Sequence, residues 1–477
     1  MADEVFDIAK EVSEITDPKA LRVIVYLLKK IEMLEEKIAR LEKNSSNSSK
    51  PPSSDNPNIG SSDITKPESE QRQPGKRKIG GQPRHDGKTR VLLPPESVTV
   101  QDIRLEESSC PKCGTPFTGS EQEESLVQQT IELREDPIEV TEYRRAGCRC
   151  GKCGEKTYAD LPDGVIEDQI CGPRLQALLA YMKGNHGASY TDLCRFCEDV
   201  LSIEISRSTL CDIIKRVSGA LEAPYNELLG HIREEEALNI DESGWKDSGA
   251  RYWVWVFCTN LVALFSIQKS RGCIVLNAIL GDAFTGTITS DFYGAYISYA
   301  SKNQQFCLAH LIRDIKFLTT LPQVETKIFG EKILEYFRKL FKLWHGRDQI
   351  PRQEFLDRCD KLQRKLFTFL TNSNLEKGAA LTMKKRLVKT WESLFRFVEE
   401  PALYQPTNNL AEQTIRAVVR IRNNTQGTRS EWGRIWNSRI FSVLATCKKQ
   451  RRSPFHFILG AIKAHKFTGI YPSLLPT

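Results

Sequence analysis

The chain has 477 residues, 40% of them hydrophobic and 27% charged, and a formal net charge of +7. That length exceeds one hydrophobic core and predicts several domains, in a composition ordinary for a soluble globular protein. No apolar run is long enough to span a bilayer, and the acidic start Met1–Val5 lacks the basic and apolar regions of a secretory signal. The sequence therefore predicts a cytoplasmic protein with no membrane partner.

The first segment, residues 1–43, carries Ile24, Leu27, Ile31, Leu34, Ile38 and Leu41 at alternating spacings of three and four, flanked by Lys and Glu. That is the seam of a coiled coil. It predicts a helix over 18–43 that either pairs with a second copy, giving a homo-oligomer, or packs its stripe on its own chain. Residues 44–100 read as a linker. Asn44–Asp55 is too rich in Ser and Pro to fold alone. From Arg72 to Arg90 the linker carries seven Lys or Arg against Asp86. Its stretch Gly75–His85 suits DNA phosphates or serves as a plain tether.

Residues 101–160 hold two matching knuckles, Cys110-Pro-Lys-Cys113-Gly and Cys150-Gly-Lys-Cys153-Gly, with 36 residues between them. Each offers two thiolates on one tight turn, and four thiolates complete a closed tetrahedral zinc shell, so structural Zn²⁺ is expected at Cys110, Cys113, Cys150 and Cys153. Cys148 is a second candidate for the ligand at Cys150. Strand-like runs are expected between the knuckles, at Ser125–Leu133 and Pro137–Arg144.

Residues 161–235 read as helical. Ser189-Tyr-Thr-Asp192 is a capping box for a helix running to Val200, and Ser206 starts the next. This helix-turn-helix-like pair would present Arg207, Ser208 and Lys215 to a DNA groove.

From residue 236 to 323 the pattern changes to strands at Ala237–Asp241, Arg251–Thr259, Leu261–Ser270, Thr285–Ser290 and Gln304–Leu308, with helices near Ile274–Leu280 and from His310. Residues 324–400 are amphipathic helices without strand signal, an all-α insertion. Residues 401–477 complete the core and end in basic helices. After Glu412 the chain carries twelve Lys or Arg against Glu431 alone, which suggests a polyanionic partner. The order β-β-β-α-β-α-β-α is that of an RNase H-like core. It places Asp241 on the central strand, Asp291 just after its neighbour, and Glu412 near a helix start. Asn409 and Glu412 also read as a capping box. Converging carboxylates repel one another and call for hard cations, so two Mg²⁺ ions at Asp241, Asp291 and Glu412 are expected, the arrangement that serves phosphodiester displacement. His310 and Arg313 could reach the scissile phosphate. Arg416, one turn after Glu412, could hold a phosphate or pair with Glu412.

Several of these stretches together resemble the insertion-sequence-66 family of transposases. They are the Asn44–Asp55 linker, Gly80-Gly-Gln-Pro83, the two knuckles, Asp241-Glu-Ser-Gly-Trp245 and Asp291-Phe-Tyr-Gly-Ala-Tyr296. Cys307-Leu-Ala-His310-Leu-Ile-Arg313 and Asn408-Asn-Leu-Ala-Glu412-Gln-Thr-Ile-Arg416 complete the set. The chain departs from that family at Arg84, where Gly is usual, at Leu308, where Trp is frequent, and at Ala417, where Pro is common. None of these touches the triad. The resemblance implies a multidomain α/β DDE-type transposase whose metal-binding triad is Asp241, Asp291 and Glu412, with Mn²⁺ able to replace Mg²⁺. It implies double-stranded DNA partners, namely the element's terminal inverted repeats and target DNA, a nucleoid-associated location, and small companion proteins from the same element. Two rival readings are a nuclease that cuts without strand transfer and a metal-independent DNA-binding regulator.

Overall fold

A computed structural model describes residues 16–43, parts of 92–116, and 128–476 apart from 136, 163, 168 and 300–302. The basic stretch Arg72–Arg90 and residues 44–91 as a whole lie outside the described residues. The chain divides into two compact units, residues 57–142, and residues 1–56 together with 143–477.

In the smaller unit the expected strands are corrected. The described residues of Ser125–Leu133 and Pro137–Arg144 are not strands. Ile131, Leu133 and Val140 are exposed, so among the described residues these apolar side chains form no buried face that would hold a strand in register. The short strands of this region lie in the larger unit and flank the second knuckle: β1 (Gly147–Arg149) pairs antiparallel with β2 (Lys156–Tyr158).

The first described helix of the larger unit is α1 (Pro18–Leu41), capped by Asp17, whose carboxylate accepts the Lys19 N–H at 2.9 Å. Its seam residues Leu27, Ile31, Leu34 and Ile38 are 48–53% exposed. A different stripe meets the chain. Ala39 packs on the hydrophobic cluster that runs from Phe306 to Tyr404, Gln323 Nε2 donates to Glu36 at 3.4 Å, and Lys43 Nζ lies 4.6 Å from the Phe317 ring centre.

Four helices follow: α2 (Pro173–His186), α3 (Tyr190–Leu201), α4 (Arg207–Ala220) and α5 (Glu222–Ile232). Ser189 and Asp192 form the expected capping box. The sheet comprises β3 (Ala237–Asp247), β4 (Ala250–Cys258), β5 (Ala263–Gln268), β6 (Thr287–Ser290) and β7 (Gln304–Phe306), in the order β5-β4-β3-β6-β7. Pairing is antiparallel among β3, β4 and β5 and parallel from β3 through β6 to β7. This is a mixed α/β fold with the first strand in the centre. β3 runs six residues past Asp241 because Ser248 and Gly249, with φ of 50° and 83°, make the two-residue hairpin turn that a twisted antiparallel pair favours.

Helices α6 (Cys273–Leu280) and α7 (Gly294–Tyr299) connect β5 to β6 and β6 to β7, and α8 (Leu308–Leu318) follows β7. The insertion is α9 (Val324–His345), α10 (Arg352–Asn372), α11 (Ala379–Lys389) and α12 (Glu392–Glu399), packed around Phe329, Ile333, Phe337, Phe355 and Phe397. The chain closes with α13 (Asn409–Thr425), α14 (Glu431–Lys449) and α15 (Pro454–Lys463). Helix α2 lies close against α14. A Cβ at Gly184 would sit 2.4 Å from Ile440 Cγ1, so only glycine fits there.

Helix α14 also solves the edge problem of the sheet. β5 is an edge strand with unpaired N–H groups, which cost free energy when buried. Ser438, Ser442 and Thr446, spaced one turn apart on α14, accept the N–H groups of Ile267, Phe265 and Ala263 at 3.2, 2.8 and 3.0 Å. The match is geometric. Four helical residues rise about 6 Å, and two strand residues about 6.7 Å. Ser442→Ala leaves the Phe265 N–H buried without a partner and should cost about 1–3 kcal/mol in chemical denaturation. An unchanged midpoint would show that the hydroxyl ladder contributes nothing.

Candidate active site

The parallel register of β3 and β6 pairs Ala237 with Thr287, Leu238 with Ile288 and Asn239 with Thr289. Continued by two residues, that register sets Asp241 on β3 opposite Asp291, which lies just past the end of β6. Asp291 Oδ1 accepts the Tyr293 N–H at 2.9 Å, which fixes the turn leaving β6.

Glu412 arrives from the first turn of α13, and the residue before that helix anchors it. Asn408 is 2% exposed. Its Nδ2 donates to the Ile240 carbonyl at 2.7 Å, its Oδ1 accepts from Asn239 Nδ2 at 2.9 Å, and its backbone N–H points to Cys307 Sγ at 3.2 Å. The capping box expected of Asn409 and Glu412 is thus corrected. Asn408 is the N-cap, and its side chain is committed to β3 instead of to its own helix.

Asp241 feels the other two carboxylates. Burial first, then the charges of Glu242, Asp291 and Glu412, push the Asp241 carboxyl well above the usual range. Burial also raises Asp291, opposed by the Tyr293 N–H and by the guanidinium groups of Arg271 and Arg386. Glu412 Oε1 is buried with no hydrogen-bond partner.

A fourth carboxylate, Glu242, went unnoticed in the sequence as a site residue. It points to the opposite face of β3, where Arg271 Nε and Nη2 reach its Oε1 at 2.8 and 2.7 Å and the Tyr296 hydroxyl donates to Oε2. Arg271 is itself stacked between Tyr293 and Trp253, with its guanidinium carbon 3.9 and 4.7 Å from the ring centres. Burial and the charge of Asp291 still raise the Glu242 carboxyl to about 7. The adjacent Asp-Glu pair was the available signal for Glu242. Nothing in the spacing of Arg271 marked it. The rest of the motif is explained by Ser243 Oγ, which accepts from Arg422 Nη1 at 3.0 Å, and by Trp245 Nε1, which donates to Thr428 Oγ1 at 3.1 Å.

His310 lies beside the triad, not facing away from it. Its Nδ1 is 3.2 Å from Cys307 Sγ and 3.7 Å from Glu412 Oε1. Burial, followed by the charge of Arg313, lowers its pKa to about 4, so it is a neutral imidazole at physiological pH and brings no charge to a phosphate. Arg416 is largely exposed, with Nη2 3.8 Å from Glu412 Oε2. Arg207 and Lys215 are exposed on α4, where Lys215 Nζ lies 5.8 Å from the Trp432 ring centre and 3.8 Å from Asp212.

The two cysteine knuckles adopt the same turn, each in its own unit. The Gly114 N–H reaches the Cys110 carbonyl at 2.8 Å, and the Gly154 N–H reaches the Cys150 carbonyl at 2.9 Å. Both glycines sit at positive φ, 74° and 77°, where a side chain would be strained. The Cys113 thiol is held below its ordinary pKa by the Thr115 hydroxyl, and Cys150 by the Cys153 backbone N–H.

Residues 168–434 match the family model described as Transposase IS66 family. The chain belongs to that family. A Transposase IS66 family protein is a nucleic-acid-processing enzyme that acts on DNA, which fits the basic C-terminal helices. A second model, for a family of unknown function (DUF6444), matches residues 9–91. No curated protein matched the chain in a further comparison. Among the described residues of this transposase no helix is long and apolar enough to cross a membrane.

The raised acids of the site make its stability depend on pH. Between the ordinary value of 4.5 and about 7, folded Glu242 holds a proton that the unfolded chain has released. Its contribution to stability therefore declines as pH rises through that window. Glu242→Gln should gain in melting temperature relative to the parent as pH rises from about 4.5 to about 7 in magnesium-free buffer. A difference independent of pH would contradict this.

Proposed function

We propose that the protein cuts DNA at the ends of its element and joins the freed 3′-hydroxyl to target DNA, as a DDE transposase with an RNase H-like core. The observation that supports this reading is that Asp241 on β3 lies near enough to Asp291, just past β6, and to Glu412 on α13 for both their charges to act on its carboxyl. An Asp241 carboxyl raised by burial and by neighbouring acids, beside a Glu412 oxygen without a hydrogen-bond partner, fits a hard divalent cation. Bound Mg²⁺, or Mn²⁺ in its place, supplies the Lewis-acid charge that phosphodiester displacement needs.

The residues of the chain have distinct tasks in this reading. Asp241, Asp291 and Glu412 are the ligands. Asn408 sets the position of Glu412, and Arg271 with Tyr296 holds Glu242 beside Asp241 without letting it swing into the cluster. Water displaces the 3′-oxygen at the element's end, and that 3′-hydroxyl then displaces a 3′-oxygen in the target strand, so each phosphodiester broken is matched by one P–O bond formed. Arg313 and Arg416 are proposed to contact the DNA backbone near the site, His310 to contribute a neutral hydrogen bond, and Arg207 with Lys215 to bind duplex DNA from α4. Terminal inverted repeats and target DNA are the proposed partners.

The cysteine knuckles are proposed to take structural Zn²⁺ as thiolate pairs. The exposed seam of α1 is proposed to join two copies, since a stripe of Leu and Ile facing water is stabilised by pairing. Companion proteins of the same element remain part of the proposal.

The decisive assay incubates the protein with a labelled element end and target DNA, with and without Mg²⁺. Joined product should depend on Mg²⁺ and fall by roughly a hundredfold or more in Glu412→Gln, the loss seen when a group stabilising transition-state charge is removed. Nicking without joining would favour a nuclease. Full activity in Glu412→Gln would remove Glu412 from the mechanism.

A further inference from the structure

A second donor set shares Glu412. Cys307, the N-cap of α8, His310 one turn further on, and Glu412 on α13 bring one sulfur, one nitrogen and one oxygen within 4.8 Å of one another. The backbone fixes this convergence. Leu308 N–H bonds the Pro406 carbonyl at 2.8 Å and Asn408 N–H meets Cys307 Sγ at 3.2 Å, so the starts of α8 and α13 are tied together. We infer that Cys307, His310 and Glu412 form a site for a thiophilic divalent ion of the zinc type, and that its occupation draws Glu412 away from Asp241 and Asp291.

The spacing suits such an ion. Two ligands about 2.0–2.3 Å from zinc at a tetrahedral angle stand roughly 3.4–3.6 Å apart. Here Nδ1 of His310 lies 3.2 Å from Cys307 Sγ and 3.7 Å from Glu412 Oε1. Glu412 Oε1 is the buried atom left without a hydrogen-bond partner, so it is free to bind. The donors also define selectivity. A thiolate and an imidazole favour zinc, whereas Mg²⁺ demands oxygen ligands and near-octahedral geometry. Binding exchanges the thiol proton of Cys307 for the metal, and the proton leaves to solvent with no change of oxidation state. Three protein ligands leave one position for water.

Zinc held by Cys307 and His310 fixes Glu412 toward α8 and withdraws its charge from Asp241, so it opposes the reaction that needs Glu412. That consequence rests on the proposed strand-transfer function. The binding itself does not. The test titrates the full-length chain with Co²⁺ as a zinc probe, reading total equivalents bound and the thiolate-to-cobalt charge-transfer band. The parent should take up one equivalent more than Cys307→Ser, and His310→Gln should show the same deficit, with circular dichroism confirming that both variants are folded. Equal uptake by the parent and both variants would overturn the site. In the joining assay, Zn²⁺ added beyond the equivalents bound by Cys307→Ser should inhibit the parent by about tenfold and spare whatever activity Cys307→Ser retains. Equal inhibition of the two would overturn the competition for Glu412. Absence of joining in the zinc-free parent would count against the strand-transfer reading and leave the cobalt result standing.

Discussion

The arrangement depends on one buried amide. Asn408 ties the start of α13 to β3 with both ends of its side chain and to the end of β7 through its backbone N–H. A helix that follows an insertion of some eighty residues would otherwise have no fixed register on the sheet. The amide can bridge because it carries a donor and an acceptor, and burial makes each unmade bond costly. Glu412, one turn later, inherits its position from this clamp. Asp241 and Asp291 need no such device, because the parallel pairing of β3 and β6 already sets them side by side.

The second constraint is electrostatic. Four carboxylates, Asp241, Glu242, Asp291 and Glu412, crowd the same end of the sheet, and burial with mutual repulsion raises Asp241 and Glu242. The fold offsets part of this with Arg271 on Glu242 and with Arg386, which pairs with Asp314 at 3.0 Å and stacks over Phe292 next to Asp291. Arg386 sits on α11, so the helical insertion contributes charge to the site it interrupts in sequence. The remaining upward shift of Asp241 and Glu242 is what the proposed cation would relieve.

Much of this was legible in the sequence, for reasons that differ by element. The buried runs of β4 and β5 and the alternation of β3 carried their own periodicity, and Ser189 with Asp192 announced α3 by local bonding alone. The central place of β3 followed from the order of elements. What could not be read were contacts closed by distant residues. Asn409 with Glu412 looked like a capping box because a cap is the local alternative, whereas the actual N-cap, Asn408, has its partners, Asn239 and Ile240, far back in the chain. Arg271 sits among loop residues with no pattern to mark it. Ser438, Ser442 and Thr446 looked like small residues in an apolar helix until β5 supplied their partners. The strands expected at Ser125–Leu133 failed for the converse reason. Their composition suits a strand, but among the described residues Ile131 and Leu133 are exposed and find no buried face.

The central claim is that residues from β3, β6 and α13 form one cation site. Binding of Mn²⁺, followed by electron paramagnetic resonance, tests it directly, because manganese takes oxygen ligands and ignores thiolates. The parent should bind Mn²⁺, and Asp291→Asn should bind it at least about tenfold more weakly while keeping its fold, since the substitution removes one charged ligand. Equal affinity in the two would mean that the carboxylates meet without holding a metal, and the account of the site would fail.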